Sequence, residues 1–204
     1  MKELLQPDTI YHIYNHANGA ENLFKEKKNY PFFLSKYHHY IDAIADTFAY
    51  CLMPNHFHLM LRVRDEPTLS EFFNKQKSQK SEVSENLGLL LSRQFSRLFN
   101  SYTKAFNKTY NRKGSLFMSN FKRKAVDSDY YITALISYIH QNPVHHGFIK
   151  DPFTWPYSSI NSFDASNLSR IQKEVIDWFG SYSEYVKFHE QPVDLERLKT
   201  LNLE

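Results

Sequence analysis

The chain contains one cysteine, Cys51, and this scarcity excludes an internal disulfide framework. Its apolar runs are only a few residues long, far short of the roughly 20 residues that a transmembrane helix requires. The first residues also lack the uninterrupted apolar stretch of a signal peptide. We therefore expect a soluble, cytoplasmic protein that does not enter the membrane.

Acidic residues are missing from one long segment, because residues 86–126 contain nine basic side chains and no Asp or Glu. The rest of the chain has 16 basic and 22 acidic residues, so its net charge is negative. Such segregation favours binding of a polyanion, since lysine and arginine displace counterions from phosphates. A solvated helix face with counter-charges from elsewhere in the fold is the simpler alternative. The candidate DNA-binding residues are Arg93, Arg97, Lys104, Lys108, Arg112, Lys113, Lys122, Arg123 and Lys124.

The length and the patterning predict one α+β domain with an appendage. The 204 residues, 42% of them apolar, are enough to bury a sizeable core. Alternating and helical periodicities predict strands at 9–16, 47–52, 57–63 and within 115–126, and helices at 29–45, 68–75, 89–110 and 130–142. This order predicts a ferredoxin-like or RRM-like sandwich, whose antiparallel sheet has two helices on one face and the other face open.

The domain boundaries follow from composition. We assign residues 1–150 to one main domain, within which the polar stretch 76–88 is expected to be a mobile insert. Residues 151–204 are expected to form a C-terminal extension with short helices at 171–179 and 182–189.

Two histidines stand one residue apart at the start of the third predicted strand. His56 and His58 flank Phe57, and side chains two residues apart on a strand point to the same face. Two imidazoles on one face are a common way to bind one metal ion, although an isolated His-x-His is more often packing or surface. The alternation places Phe57, Leu59 and Leu61 against the helices and leaves the histidines on the open face.

A tyrosine and an asparagine lie four residues apart in the last helix of the predicted domain. Tyr138 and Asn142 are about 40° apart on an ideal helix, at the border of its apolar stripe. Pro143 is expected to end this helix. Together with the histidines, the pair suggests a metal-assisted tyrosine nucleophile. A phenol has a pKa near 10, so it needs activation; the metal and a base such as His140 both remain open, although His140 points about 200° away from Tyr138.

Four segments together resemble the single-tyrosine HUH transposases, in the branch of REP-associated tyrosine transposases. They are Tyr11-His12-Ile13-Tyr14-Asn15, the segment 50–58 that ends in His56-Phe57-His58, Gly114-Ser115-Leu116-Phe117 with Phe121-Lys122, and 138–144 with Tyr138 and Asn142. Trp155-Pro156-Tyr157 is similar to the trailing segment of that branch. The resemblance covers residues 11 to about 163, but it is weaker in the polar insert 76–88 and beyond about residue 163. It implies that residues 1–150 are a catalytic domain of the HUH single-tyrosine type.

The resemblance implies cleavage and rejoining of single-stranded DNA at hairpin-associated sites, with a covalent 5′-phosphotyrosine. Carried across, His56, His58 and Asn142 are the metal ligands and Tyr138 is the nucleophile. Uncharged ligands leave Mg²⁺ or Mn²⁺ fully cationic and with open positions for phosphate and water. The expected partner is single-stranded or hairpin DNA, with the protein acting as a monomer or a homodimer.

Two other functions remain open at this point. A domesticated protein could bind hairpin DNA with little or no cleavage. A metal-dependent phosphodiesterase could release its product by water attack, in which case Tyr138 would be dispensable.

Overall fold

The computed structural model describes residues 4–76, 86–126 and 128–191. Four strands and six helices follow one another in these ranges: β1 (Ile10–His16), α1 (Asn29–Ile41), β2 (Ala45–Met53), β3 (His56–Val63), α2 (Glu66–Gln76), α3 (Leu87–Thr109), β4 (Lys122–Ala125), α4 (Asp129–His145), α5 (Arg170–Phe179) and α6 (Tyr182–Glu190). Within them, no helix is long and apolar enough to cross a bilayer.

The four strands form one antiparallel sheet in the order β2-β3-β1-β4. This is the strand order of a ferredoxin-like fold, as the sequence predicts. Strand β3, which carries the two histidines, is a central strand with β2 on one side and β1 on the other. A side chain on β3 is therefore flanked on both sides by neighbouring strands.

One face of the sheet packs against α1 and α3. Phe57, Leu59 and Leu61 are fully buried there, in the same apolar cluster as Phe33 of α1 and Phe95 of α3. The predicted apolar stripe of α3 is buried in this cluster as well. The prediction from the alternation along β3 is therefore confirmed, because its odd-numbered residues face the helices.

The opposite face, which we expected to be open, is largely covered. Met60 lies in a second apolar cluster with Ile139 of α4 and with Ile160, Val175 and Tyr185 of the segment beyond residue 150. Polar contacts also cover this face. The Arg62 guanidinium binds the Glu174 carboxylate of α5, and the shorter N–O distance is 2.6 Å. Near the histidines this face reaches solvent beside His16 and His146, which are exposed.

The segment beyond residue 150 also follows the free edge of β2. Leu52 donates its backbone N–H to the Tyr157 carbonyl over 2.9 Å, and Trp155 donates its indole N–H to the Leu52 carbonyl over 3.1 Å. These bonds satisfy edge-strand groups that would otherwise be available for pairing. The boundary near residue 150 remains a prediction, and the two sides of it share one apolar cluster.

Pro143 does not end α4, which continues to His145. The backbone N–H groups of His146 and Phe148 bond to the carbonyls of Asn142 and Pro143, so the last turn is closed despite the missing proline donor. Proline costs a helix one hydrogen bond, and here the tertiary packing of α4 outweighs that cost.

Three other helix boundaries differ from the prediction by two residues or more. Helix α1 ends at Ile41, because Ala45 already belongs to β2. Helix α2 begins at Glu66 rather than at Thr68, and the Asp65 carboxylate caps its start by accepting the Thr68 N–H over 2.9 Å. Helix α3 begins at Leu87, so residues 87–88 belong to it, while 77–85 of the predicted insert lie outside the described residues.

Candidate functional site

His56 and His58 lie side by side on the covered face of β3, with 3% and 4% of their surface exposed. Their rings are 5.2 Å apart and nearly perpendicular. The register of β1 against β3 places Tyr14 opposite His58 and His16 opposite His56. Both neighbours stack on the histidines, with ring centroids 5.5 Å and 4.7 Å apart respectively.

Helix α4 brings Tyr138 and Asn142 to this histidine pair. The Asn142 Oδ1 atom lies 2.9 Å from Nε2 of His56. The Tyr138 ring meets the His58 ring edge-on, with centroids 5.5 Å apart. The structure therefore brings together all four residues selected from the sequence, and their chemical roles remain predictions.

A third histidine, which the sequence did not single out as a site residue, supports His58. His12 of β1 is fully buried, and its Nε2 lies 2.9 Å from Nδ1 of His58. The other ring nitrogen of His12 has no hydrogen-bond partner among the described residues. The available signal was the alternation of His12, Tyr14 and His16 on β1, which places all three on the face of the histidine pair.

Burial keeps these imidazoles uncharged near neutral pH. It lowers the pKa of His56 to about 4, against a smaller opposing effect of the Asn142 contact. It lowers the pKa of His12 to about 3, with the nearby Lys124 acting in the same direction. Burial, followed by the nearness of His12, places the pKa of His58 well below its usual value. An uncharged imidazole has the lone pair that a metal ligand needs.

The contacts of His56 would fit a cation held by His56 and Asn142. Nδ1 of His56 lies 2.8 Å from Asn55 Oδ1, and Nε2 lies 2.9 Å from Asn142 Oδ1. A neutral imidazole donates through one nitrogen only, so one of these oxygens faces a nitrogen lone pair. Two acceptors at this distance repel unless a cation lies between them or the amide of Asn142 is turned. The amide nitrogen of Asn142 has no hydrogen-bond partner among the described residues.

The donor set fits Mg²⁺ or Mn²⁺. Adjacent ligands of an octahedral ion with bonds of about 2.1 Å are about 3 Å apart, close to the separation of the His56 and Asn142 atoms. Within the described ranges, no group of three or more His, Cys, Asp or Glu side chains is arranged to hold a metal. Any metal held here therefore needs the Asn142 oxygen beside the two imidazoles, and exogenous ligands would complete its shell.

The basic residues predicted to bind DNA lie on α3, on the loop that follows it and on both faces of β4. On β4, Lys122 and Lys124 pair with Tyr14 and His12, and so lie on the face of the histidines. Arg123 lies on the other face, where its guanidinium stacks on the Phe121 ring at 4.1 Å. The side chains of Arg93, Arg97, Lys104, Lys108 and Lys113 are exposed.

The Arg112 guanidinium is bound by other groups of the protein. Its guanidinium bonds to the Glu21 carboxylate at 3.0 Å and to the carbonyls of Gly114 and Ser115 at 3.2 and 2.8 Å. These contacts hold the loop that follows α3. The sequence could not indicate this, because Glu21 is about 90 residues away along the chain.

A groove of about 710 Å³ runs between α3 and this loop. Serine, threonine and asparagine side chains line it together with Lys104 and Arg123, and no acidic residue is among its lining. The loop approaches the histidines, because Met118 donates its N–H to the His16 carbonyl over 2.8 Å. The groove itself opens on the helix side of the sheet, opposite the histidines, and combines two cations with polar and apolar side chains.

Comparison with known proteins gives two matches. The chain is 24% identical over 164 residues to a Haemophilus influenzae protein that has the provisional name REP-associated tyrosine transposase, and the match covers 78% of this chain and 76% of that protein. A solved structure of a REP-associated tyrosine transposase bound to a REP hairpin superposes with a TM-score of 0.59 at 16% identity, covering 84% of this chain and 90% of that one. No family model matches the sequence. The chain is therefore similar to REP-associated tyrosine transposases in sequence and in fold, as its motifs predicted.

Proposed function

We propose that this protein is a metal-dependent strand transferase that cleaves and rejoins single-stranded DNA at hairpin-associated sites through a covalent 5′-phosphotyrosine at Tyr138. The observation that carries the proposal is the convergence of Tyr138 and Asn142 from α4 on His56 and His58 of β3. Tyr138 supplies a nucleophilic hydroxyl, and His56, His58 and Asn142 supply uncharged groups that can bind a metal. Metal-assisted transesterification of a phosphodiester requires both.

The chemistry assigned to the chain is a pair of reversible transesterifications. The Tyr138 hydroxyl oxygen attacks phosphorus in line, the bond to the 3′ oxygen breaks, and a 3′ hydroxyl leaves with a proton. A 3′ hydroxyl then attacks the phosphotyrosine, the tyrosine leaves, and a strand is joined. The ester keeps the energy of the original bond, so ATP is not required. A divalent ion held by His56, His58 and Asn142 would supply charge neutralisation at the phosphate.

Hairpin DNA is the proposed substrate for two reasons. The related solved structure has a REP hairpin as its bound partner. In this chain, Lys122 and Lys124 lie on the face of the histidines. An unpaired strand could approach Tyr138 along this face, with its phosphates near the two lysines.

A second candidate function is hairpin binding without cleavage. The observation that favours it is the burial of the site, since only 5% of Tyr138 and 1% of Asn142 are exposed. A scissile phosphate must reach the Tyr138 oxygen. Cleavage therefore requires a movement of α4 or of the exposed side chains of His16 and His146. A protein that only binds hairpins has no such requirement.

The test is incubation of the protein with end-labelled hairpin DNA and Mn²⁺ or Mg²⁺, followed by denaturing electrophoresis. The proposal predicts label that migrates with the wild-type protein and is absent in Tyr138→Phe. Tyr131→Phe is the matched control, because Tyr131 is a buried tyrosine on the same helix, seven residues earlier. Tight binding without an adduct in either metal supports the binding protein, and cleavage retained in Tyr138→Phe supports a hydrolase.

A further inference from the structure

The side of α4 opposite the nucleophile is also buried and polar. On an ideal helix, His140 points about 200° away from both Tyr138 and Asn142. His140 is fully buried, and Gln141 beside it is 4% exposed. The proposed chemistry uses neither residue, although burying such polar groups is costly unless each one is hydrogen-bonded.

His140 links α4 to two parts of the segment beyond residue 150. Its Nδ1 lies 2.9 Å from Nε2 of His189 on α6. Its Nε2 lies 2.8 Å from the Ser159 hydroxyl, and that hydroxyl accepts the backbone N–H of Tyr50 on β2 over 2.8 Å. One imidazole therefore connects the nucleophile helix to α6 and to the edge of the sheet.

The hydrogen bonds of this chain have a determined direction. The Tyr185 carbonyl can only accept, so His189 donates its Nδ1–H to it over 2.7 Å. Neutral His189 then has its lone pair on Nε2, where it accepts the Nδ1–H of His140. His140 in turn accepts the Ser159 hydroxyl proton at Nε2. Each imidazole has one tautomer, and every nitrogen of the two rings has a partner.

Gln141 connects the same two helices, and here too α4 donates and α6 accepts. Its amide nitrogen lies 3.1 Å from the His189 carbonyl and 2.8 Å from the Gln191 carbonyl. These carbonyls are at the C-terminal end of α6, where a helix has no internal donors for its last carbonyls. Helix α6 therefore accepts hydrogen bonds from α4 through both a side chain and its backbone.

From these contacts we infer that His189, His140 and Ser159 are positioning residues that fix the rotation of α4, so that Tyr138 and Asn142 face the histidine pair. The inference rests on the proposed strand-transfer function and gives the C-terminal extension a role in it. A rotation of about 10° moves a side-chain atom 5–6 Å from the helix axis by about 1 Å. A misplacement of that size can lower a rate about 100-fold.

The experiment compares three substitutions at one position in the full-length protein. His189→Leu removes both hydrogen bonds, and His189→Asn can reach the Tyr185 carbonyl but not His140. His189→Gln can reach His140 and accept its Nδ1–H. Val186→Ala is the control, because it alters a partly buried apolar residue of the same helix.

Two quantities are measured with labelled hairpin DNA and Mn²⁺: the dissociation constant of the DNA and the rate of adduct formation at saturating DNA. We expect His189→Leu and His189→Asn to form the adduct about 10–100-fold more slowly with an unchanged dissociation constant, the range found when groups that orient active-site residues are removed. We expect His189→Gln to restore most of the rate. Wild-type rates in His189→Leu and His189→Asn, or an equal loss in His189→Gln, would overturn the inference.

Hydrogen exchange of the DNA-free protein tests the same inference without relying on activity. In His189→Leu and His189→Asn, the amides of 138–145 should exchange faster, while those of β1 and β3 stay unchanged. In His189→Gln and Val186→Ala, the same amides should exchange as in the wild type. If the wild type forms no adduct, the proposed function fails, and exchange alone decides whether His189 holds α4; unchanged exchange in His189→Leu overturns the inference.

Discussion

The Oδ1 atom of Asn142 lies 2.9 Å from Nε2 of His56, although the two residues are 86 positions apart in the chain. Helix α4 supplies one atom and the central strand β3 the other, so their separation depends on how α4 packs on the sheet. In the proposed function the two atoms are adjacent ligands of one divalent ion. A change in the packing of α4 on the sheet would therefore change the distance between the two proposed ligands.

Substitutions of Asn142 distinguish two roles of its side chain: an oxygen that binds a metal, and an amide that donates a hydrogen bond. Asn142→Asp keeps an oxygen at the site but cannot donate a proton when ionised, whereas Asn142→Ala removes both possibilities. If the oxygen binds the ion, Asn142→Asp should retain Mn²⁺ binding and Asn142→Ala should lose about 10–100-fold in affinity, the usual range for the loss of a group that supports a metal site. Titration calorimetry with Mn²⁺ in the presence of hairpin DNA measures both.

Asn74→Ala on α2 is the control for this pair, because Asn74 is exposed and belongs to a different helix. Mn²⁺ affinity in Asn142→Ala equal to that of Asn74→Ala would remove Asn142 from the ligand set.

His12→Phe tests whether His12 orients His58. Phenylalanine fills a similar volume, but it cannot bond to Nδ1 of His58, which would then be free to rotate. We expect Mn²⁺ affinity to fall about 10–100-fold. The free energy of unfolding should change little, because the other ring nitrogen of His12 is already buried without a partner among the described residues. Calorimetry and urea unfolding measure the two effects. His39→Phe, at an exposed histidine of α1, is the control, and equal metal affinity in both variants would contradict this role.

The stability of the protein should depend on pH through His189. Burial lowers the pKa of His189 to about 4 in the folded protein, from about 6.5 in the unfolded chain. The unfolded chain therefore binds the proton first as the pH falls. The contribution of His189 is fully present above pH 6.5 and is lost between about pH 6.5 and 4, with a slope of up to about 1.4 kcal/mol per pH unit.

Urea unfolding of the wild type and of His189→Gln at pH 7.5, 6.0 and 5.0 measures this slope. The variant has no titrating group at this position, so its unfolding free energy should fall less steeply with acid. Parallel curves for the two proteins would show that His189 does not titrate as its burial requires.

Lys122 and Arg112 should have different effects when each is replaced by glutamine. Lys122→Gln should weaken binding of unpaired DNA and reduce the slope of log K against log salt concentration by about 0.7, the value for one phosphate contact. Arg112→Gln should leave that slope unchanged. It should lower the free energy of unfolding by about 1–3 kcal/mol, because Glu21 and two loop carbonyls lose a charged donor.

Fluorescence anisotropy over a range of salt concentrations and urea unfolding distinguish these two effects. Lys173→Gln, on α5, is the control for charge removal alone. A lower salt slope in Arg112→Gln would show that Arg112 contacts the DNA.

The sheet and the four candidate site residues could be predicted because their signals are local. A two-residue period assigns His56 and His58 to one face and Phe57 to the other, whatever the rest of the chain does. A helical period likewise places Tyr138 and Asn142 on one flank. The resemblance to a family then supplied the pairing between these two segments, which periodicity alone does not provide.

The parts that were missed depend on contacts between distant segments. His12 supports His58 only because β1 pairs with β3 in one particular register. Pro143 remains helical because the packing of α4 outweighs a local preference. The face expected to be open is covered because residues beyond 150 return to it, and a short amphipathic helix does not indicate which surface it will cover.

Peptide mapping of the covalent adduct tests the central claim most directly. The protein is incubated with hairpin DNA and Mn²⁺, the adduct is digested with protease and nuclease, and mass spectrometry locates the tyrosine that retains a nucleotide. The account predicts a nucleotide joined through its 5′ phosphate to the peptide that contains Tyr138. A nucleotide on any other residue, or cleaved DNA with no nucleotide-bearing peptide, would contradict it.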